Sequence, residues 1–463
     1  MRSSCRIEPQ ETRRAHARPK SAGPARPPHT VAMVVGLLIV LQVVGLATLL
    51  SASSVLSLRT YGTPWHYFTR QLMWLAVGWV VFAGAVRVDY RSLRRAAPWL
   101  LGVTAAALVL VLIPGVGITA SGSRRWLGVG QWRLQPSELT KLALVVFGAR
   151  LLETRADKIS DPRACRPLVL IMAVLAGLIM LQPDMGTTLV VIGIVVAQLF
   201  CGGVPGRSLR RLGVALVGAA VLTGMAAPYR RDRLLAFLHP GANPSSAGYQ
   251  TLQGLFALAS GGLTGIGVGA SRAKWGLLPN AHTDFIFAIV GEETGMLGSI
   301  LVVLLFLGLA FTGLHIAGRA PDDFGCLVAA GVTTWVLLQA VINVGAVIGL
   351  LPVTGVPLPF VSFGGTSVVV LMAAVGLLAS VNRQSSRPGR PSAAQLPLHS
   401  VALDPSEQLP DRKRGHQRAQ AGHLRGEQGP STTATRSPRE RGPRGPVDQR
   451  RVPHPGPGAG RPR

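Results

Sequence analysis

The sequence predicts an all-α, polytopic membrane protein with about ten transmembrane helices, and three observations make that prediction. Hydrophobic residues are 48% of the chain and charged residues only 14%. The apolar residues gather in runs near the length of about 20 that a bilayer core requires. The formal charge of +27 is carried by the two ends and by alternate connecting segments, not by the runs.

Residues 1–31 hold seven Arg/Lys against two Glu, and residues 383–463 hold sixteen Arg/Lys against six Asp/Glu. Segments so polar, rich in Pro and Gly in the second case, bury too little apolar surface to offset their ordering entropy. Both are expected to be disordered basic cytoplasmic tails flanking one membrane domain over 32–382. The tails lack interleaved aromatics that would stack on bases, so no nucleic-acid partner is expected. Their charge suits an anionic inner leaflet.

Apolar stretches fall near 32–52, 71–87, 97–114, 137–152, 167–181, 186–203, 211–228, 284–316, 324–349 and 366–382. The first is longer than a signal-peptide core and reads as a retained helix. An even number of spans puts both termini on one side, and the Arg/Lys bias makes that side the cytoplasm. Inner loops then carry Arg87, Arg91, Arg94, Arg95, Arg150, Arg155, Lys158, Arg163, Arg166, Arg207, Arg210, Arg211 and Arg319. Cys5, Cys165, Cys201 and Cys326 fall at or near that reducing side, so no oxidised pair is expected.

The outer loops hold Arg59 and Arg70, and two clusters that oppose the bias: Arg124, Arg125 and Arg133, then Arg230, Arg231, Arg233, Arg272 and Lys274. Either these are ordinary solvated charges or they meet an anionic substrate, since Arg pairs with phosphate oxygens in a fixed fork.

Several ionisable groups lie in or at the edge of the spans: Glu138, Lys141, Asp184, Asp284, Glu292 and Glu293. Such groups cost several kcal/mol at membrane depth and must face protein or water. Glu138 and Lys141 share a helix face, which suggests an internal ion pair. Glu292 and Glu293 cannot point the same way, so at least one should brace a neighbour. Asp284 stands where the outer loop becomes a helix. Position alone gives it two readings, a helix cap or a general base at the membrane boundary. His282 reads as a proton partner, a metal ligand or neither. The Pro/Gly-rich stretch Leu351–Ser367 cannot be continuous helix, and irregular backbone at membrane depth must be buried or line a cavity. It is expected to form one wall of a site.

The segments GSRRWLGVGQWRLQPSELTK (Gly122–Lys141), QPDMGTT (Gln182–Thr188), FLHPGANPSSAGYQ (Phe237–Gln250), PNAHTDFIFAIVGEE (Pro279–Glu293) and LPVTGVPLPFVSFGGTS (Leu351–Ser367) together resemble the SEDS family. Its members are the FtsW, RodA and SpoVE proteins of bacterial division, elongation and sporulation. The likeness spans 32–382 and is strongest to division-type members of actinobacteria, through SASSVLSLRTYGTPWHYFTRQ (Ser51–Gln71) and the long basic tail. The resemblance implies an inverting peptidoglycan glycosyltransferase on the outer face of the cytoplasmic membrane, with lipid II as substrate. It maps the family's essential aspartate onto Asp284, as the base for the acceptor sugar's 4-hydroxyl. Arg124, Arg125, Trp126, Lys141, Arg230, Arg231, Arg233, Lys274 and His282 become candidate substrate-binding residues. It implies a class B penicillin-binding protein and other divisome membrane proteins as partners. A divalent cation, Mg or Mn, is a possible cofactor with no assignable ligands. Where the family has Glu and Leu, this chain has Asn280 and Thr294, which removes a carboxylate beside Asp284. A lipid II flippase and a non-catalytic divisome scaffold are the competing readings.

Overall fold

The computed structural model describes residues 29–120, 123–129, 132–159, 161–226, 237 and 247–385. Eleven helices are described: α1 His29–Tyr61, α2 His66–Arg87, α3 Leu93–Leu112, α4 Pro136–Thr154, α5 Pro162–Leu181, α6 Met185–Cys201, α7 Gly206–Ala226, α8 Ala247–Gly261, α9 Ile286–Gly318, α10 Asp323–Val347 and α11 Thr366–Ser385. Each of the ten expected spans coincides with one of them, and the protein is a polytopic helical membrane protein. Seven helices are long and apolar enough to cross a bilayer by length and composition. The other three expected spans depart for visible reasons. Helix α4 carries Glu138, Lys141, Arg150 and Glu153; α6 has 17 residues; α7 opens on Arg207, Arg210 and Arg211.

Local chemistry sets the ends. Pro136 and Pro162 occupy the first turns of α4 and α5, where a missing N–H costs nothing. The Asp184 side chain accepts from Thr187 N to cap α6, and Asp322 accepts from Gly325 N to cap α10. Helix α1, at 33 residues, is about 50 Å long and so rises well past the hydrocarbon.

The innermost members are α10 and α11, whose most apolar windows are 78% buried against 22% for the α3 span. Helix α10 packs on α9, α6 and α4, while α11 lies along α2. At one end of the bundle the basic connections are tied together. Arg94 pairs with Glu153 at 2.7 Å and with Asp322 at 2.9 Å, and Arg91 reaches Asp322 at 3.1 Å. The opposite end carries the site.

Three features were not expected from the sequence. Ile118–Ala120, Ser123–Val129 and Trp132–Leu134 form a three-stranded antiparallel sheet, β1-β2-β3, between α3 and α4. Helix α8, 15 residues long, lies inside what reads as an outer loop and packs on α9; at about 22 Å it is too short to span. Helix α9 is broken at Gly295, which takes φ 69°. The cysteine expectation is corrected too. Cys165 and Cys201 are free, but Cys326 is disulfide-bonded, to a residue outside those described. The expectation rested on the redox state of a compartment, which does not say which thiols meet.

Candidate active site

Helix α10 offers two amide side chains one turn apart, Gln339 and Asn343, on one face. Both donate to the irregular stretch that follows the helix: Gln339 Nε2 to Pro357 O at 3.1 Å, and Asn343 Nδ2 to Val356 O at 2.7 Å. This stretch, expected to wall a site, is folded into the protein. Leu358, Phe360, Val361 and Ser362 are each 2% exposed or less.

Against it lies the segment before α9. Three consecutive carbonyls there are each held from outside. Phe363 N donates to His282 O at 3.1 Å, Ser362 Oγ to Thr283 O at 2.6 Å, and Asn343 Nδ2 to Asp284 O at 2.7 Å. Asp284 is half-buried and sits two residues ahead of Ile286, while Phe285 takes the N-cap position of α9. Gly355 faces it; a Cβ there would lie 3.4 Å from Asp284 Oδ2. The φ of 77° at Gly355 is one that Gly adopts without strain.

His282, two residues earlier, has its ring against Tyr67 at 4.9 Å between centroids, and Tyr67 also meets Phe363. Burial in this aromatic setting lowers the imidazole pKa to about 4, because the charged form loses its water. His282 is therefore neutral at neutral pH. Asn280, the departure from the family pattern, takes φ 55°, a left-handed conformation in which Asn is favoured over Glu.

The Lys141–Glu138 pair meets at 2.7 Å with the two side chains 1% and 4% exposed. Lys141 also donates to Gln339 Oε1 at 3.3 Å, and Ser367 donates to Glu138 Oε2 at 2.9 Å. Its ammonium stands 4.9 Å from the Trp335 ring centroid, a cation–π distance. The pair thus braces α4, α10 and α11, and through Gln339 it touches the same wall that faces Asp284.

Arg125 spends its guanidinium on the turn before α6. It donates to Gln182 O at 3.0 Å and to Pro183 O, and stands 3.7 Å from Asp184. That turn abuts the wall in its own right: a Cβ on Gly186 would collide with Val356 and crowd Thr354. Arg124 is exposed and donates to Leu112 O at 3.4 Å. Trp126 is half-buried on β2, opposite Ile118. Lys274 donates to Gly269 O within its own loop. Arg230, Arg231 and Arg233 lie outside the described residues.

The two glutamates of α9 both serve as braces. Glu292 accepts from Ser271 Oγ and from Arg272 N and Ala273 N, fixing the basic loop, while Glu293 accepts from Ser51 Oγ of α1. Gln339, Asn343 and Ser362 were missed at the sequence level. The available signal was polarity: amide side chains one turn apart in an apolar helix need partners, but nothing local says which. Among the described residues no three His, Cys, Asp or Glu converge as a metal cage would need.

Comparison with known proteins identifies the family. The family described as "Cell cycle protein", FtsW/RodA/SpoVE, matches residues 31–387. The chain is 40% identical over 415 residues to a probable peptidoglycan glycosyltransferase FtsW of Mycobacterium tuberculosis, covering 86% of this chain and 79% of that one. It is 39% identical over 356 residues to stage V sporulation protein E of Bacillus subtilis, covering 76% and 97%. Among solved structures it resembles a chain of a peptidoglycan synthase complex, at TM-score 0.64 and 29% identity, covering 77% of this chain and 98% of that one. The rod shape determining protein RodA of Thermus thermophilus aligns at TM-score 0.58 and 28% identity, covering 77% and 97%. On the extent of the family match and these identities, the chain belongs to the FtsW/RodA/SpoVE family of cell cycle proteins.

Proposed function

We propose that this protein is a peptidoglycan glycosyltransferase that polymerises lipid II at the outer face of the cytoplasmic membrane during septal wall synthesis. The observation that carries the reading is the fixed placement of Asp284. Its own carbonyl and the two before it are pinned by Asn343, Ser362 and Phe363, and Gly355 brings no side chain of its own toward the carboxylate.

In this reaction the acceptor sugar's 4-hydroxyl oxygen attacks the anomeric carbon of the growing glycan. The C1–O bond to the lipid pyrophosphate breaks, Asp284 takes the hydroxyl proton, and the configuration inverts in a single displacement. Arg124 and Lys274, with Arg230, Arg231 and Arg233, are the cations proposed to hold the departing pyrophosphate. Arg125 positions the Gln182–Asp184 turn instead, and Lys141 is a brace rather than a ligand. Neutral His282 can relay a proton, taking one at one ring nitrogen as it releases one from the other, and Trp126 is the aromatic candidate for sugar or lipid contact. A required Mg or Mn ion would be held mainly by the substrate's own phosphate oxygens, as Mg commonly is; no step here runs through it.

The solved relative in a peptidoglycan synthase complex supports a class B penicillin-binding protein as partner; other divisome membrane proteins are proposed beside it. A flippase would put its helix break to use at a substrate site. Here the break in α9 is filled by backbone from residues 262–267, which favours the polymerase over transport.

The test uses purified full-length protein, with and without the penicillin-binding partner, on labelled lipid II. Glycan chains should form, and Asp284→Ala should slow them by about 10²–10⁴-fold, the usual contribution of a positioned base. Leaflet exchange without polymer would favour transport. Partner binding with neither activity would leave a scaffold.

A further inference from the structure

The geometry points to Asn343 as the residue that positions Asp284, with Ser362 as its second anchor; this rests on the polymerase reading above. One side-chain amide carries two N–H donors, and Asn343 aims both at backbone carbonyls, Asp284 O and Val356 O, each at 2.7 Å. One carbonyl belongs to the base and the other to the wall that faces it. The reverse assignment of the amide would set its oxygen against both carbonyls, so the donor orientation is fixed by chemistry.

The arrangement is costly elsewhere. Asn343 is 2% exposed, and its Oδ1 is buried with no hydrogen-bond partner among the described residues. An uncompensated buried acceptor opposes folding, so a residue selected for stability alone would be apolar here. The gain is that the base and its wall are held at one spacing. Ser362 does the same one residue back: it accepts from Leu358 N at 2.8 Å while donating to Thr283 O at 2.6 Å. Neither side chain reacts; both act through the backbone of residues 283 and 284.

A base displaced by about 1 Å loses rate on the order of 10²-fold while leaving remote binding contacts in place. A positioning role therefore lowers kcat and spares KM. Asn343→Leu keeps the volume, removes the donors and also removes the orphaned oxygen. In the full-length protein with its penicillin-binding partner and labelled lipid II, it should lower kcat per folded molecule by about 10–100-fold, with KM within about twofold, while the two carbonyls that lose their donor lower the melting temperature modestly. Asn343→Asp, which sets oxygens against both carbonyls, should do at least as much. Ser362→Ala removes one anchor without adding a group, and should show the same kcat-only loss at about 3–10-fold.

In an Asp284→Ala background, Asn343→Leu should cause no further loss. Parental kcat in both Asn343→Leu and Ser362→Ala overturns the inference, as does a loss that lies wholly in KM or that merely follows lost folded protein. If Asn343→Leu fails to fold, Ser362→Ala decides. Asp284→Ala separates the two levels. If that variant polymerises at the parental rate, the base assignment itself falls; if it is inactive while the anchor variants are parental, only this inference does.

Discussion

His282 illustrates how one side chain's surroundings become a measurable property. Its imidazole has a pKa near 4 in the fold against an ordinary value of 6.5, because burial disfavours the charged form. As pH falls, the unfolded chain takes up this proton first, so the group's contribution to stability is complete above about pH 6.5 and is lost progressively toward pH 4. Melting of the detergent-solubilised protein should therefore steepen its decline across that window, and His282→Gln should flatten it. An unchanged slope would mean the ring is solvated. At this scale the sequence was informative where partners are local. The Glu138–Lys141 pair could be read from a spacing of three residues on one helix. Gln339, Asn343 and Ser362 could not, because their partners are backbone carbonyls in other segments, and no side-chain code announces a carbonyl.

At the level of elements, the break in α9 is repaired by a distant stretch of chain. Gly262 O and Leu263 O accept from Met296 N and Leu297 N, while Ile266 N and Gly267 N donate to the carbonyls of Glu292 and Glu293. Freed peptides at membrane depth need such partners. The fit leaves no room for side chains, since a Cβ on Gly265 would collide with the Glu293 carbonyl and Gly265 has φ 83°. Gly265→Ala should cost about 1–3 kcal/mol through strain and lost backbone pairing, seen as a lower melting temperature and reduced accumulation. Ten of the described helices were legible because each carries a long apolar run. The break was not, because an isolated Gly inside a helical run is tolerated and the compensating residues lie about thirty positions away. The small sheet was hidden for a related reason: its three strands are at most seven residues each, too short for a two-residue period to stand out beside the spans.

The molecule as a whole has two chemically distinct ends. One gathers Arg91, Arg94, Glu153 and Asp322 into an ion network; the other holds Asp284, its wall and the sheet. The orientation expected from the Arg/Lys bias would put the first on the cytoplasmic side. Cysteine placed singly at Arg272 and at Arg211, both exposed, gives the check in a background without the native cysteines. A membrane-impermeant thiol reagent applied to intact spheroplasts should label Arg272→Cys and spare Arg211→Cys. The opposite pattern would invert the protein and move its site to the wrong face. The membrane domain was readable at this scale because insertion energetics are nearly one-dimensional. The convergence of segments from four parts of the chain on a single wall is not, and emerged only with the packing.

The three anchors of the proposed base all come later in the chain than Asp284 itself. Asn343, Ser362 and Phe363 follow Asp284 by 59 to 79 positions. Ribosomal synthesis runs in one direction, so Asp284 reaches the bilayer before anything exists to hold it. On the proposed role of Asp284, competence is thus deferred until α10 and α11 have been threaded. A chain stopped after residue 320 should insert, bind its substrate weakly and make no polymer, while co-expression of 321–385 as a separate fragment should restore a measurable share of synthesis.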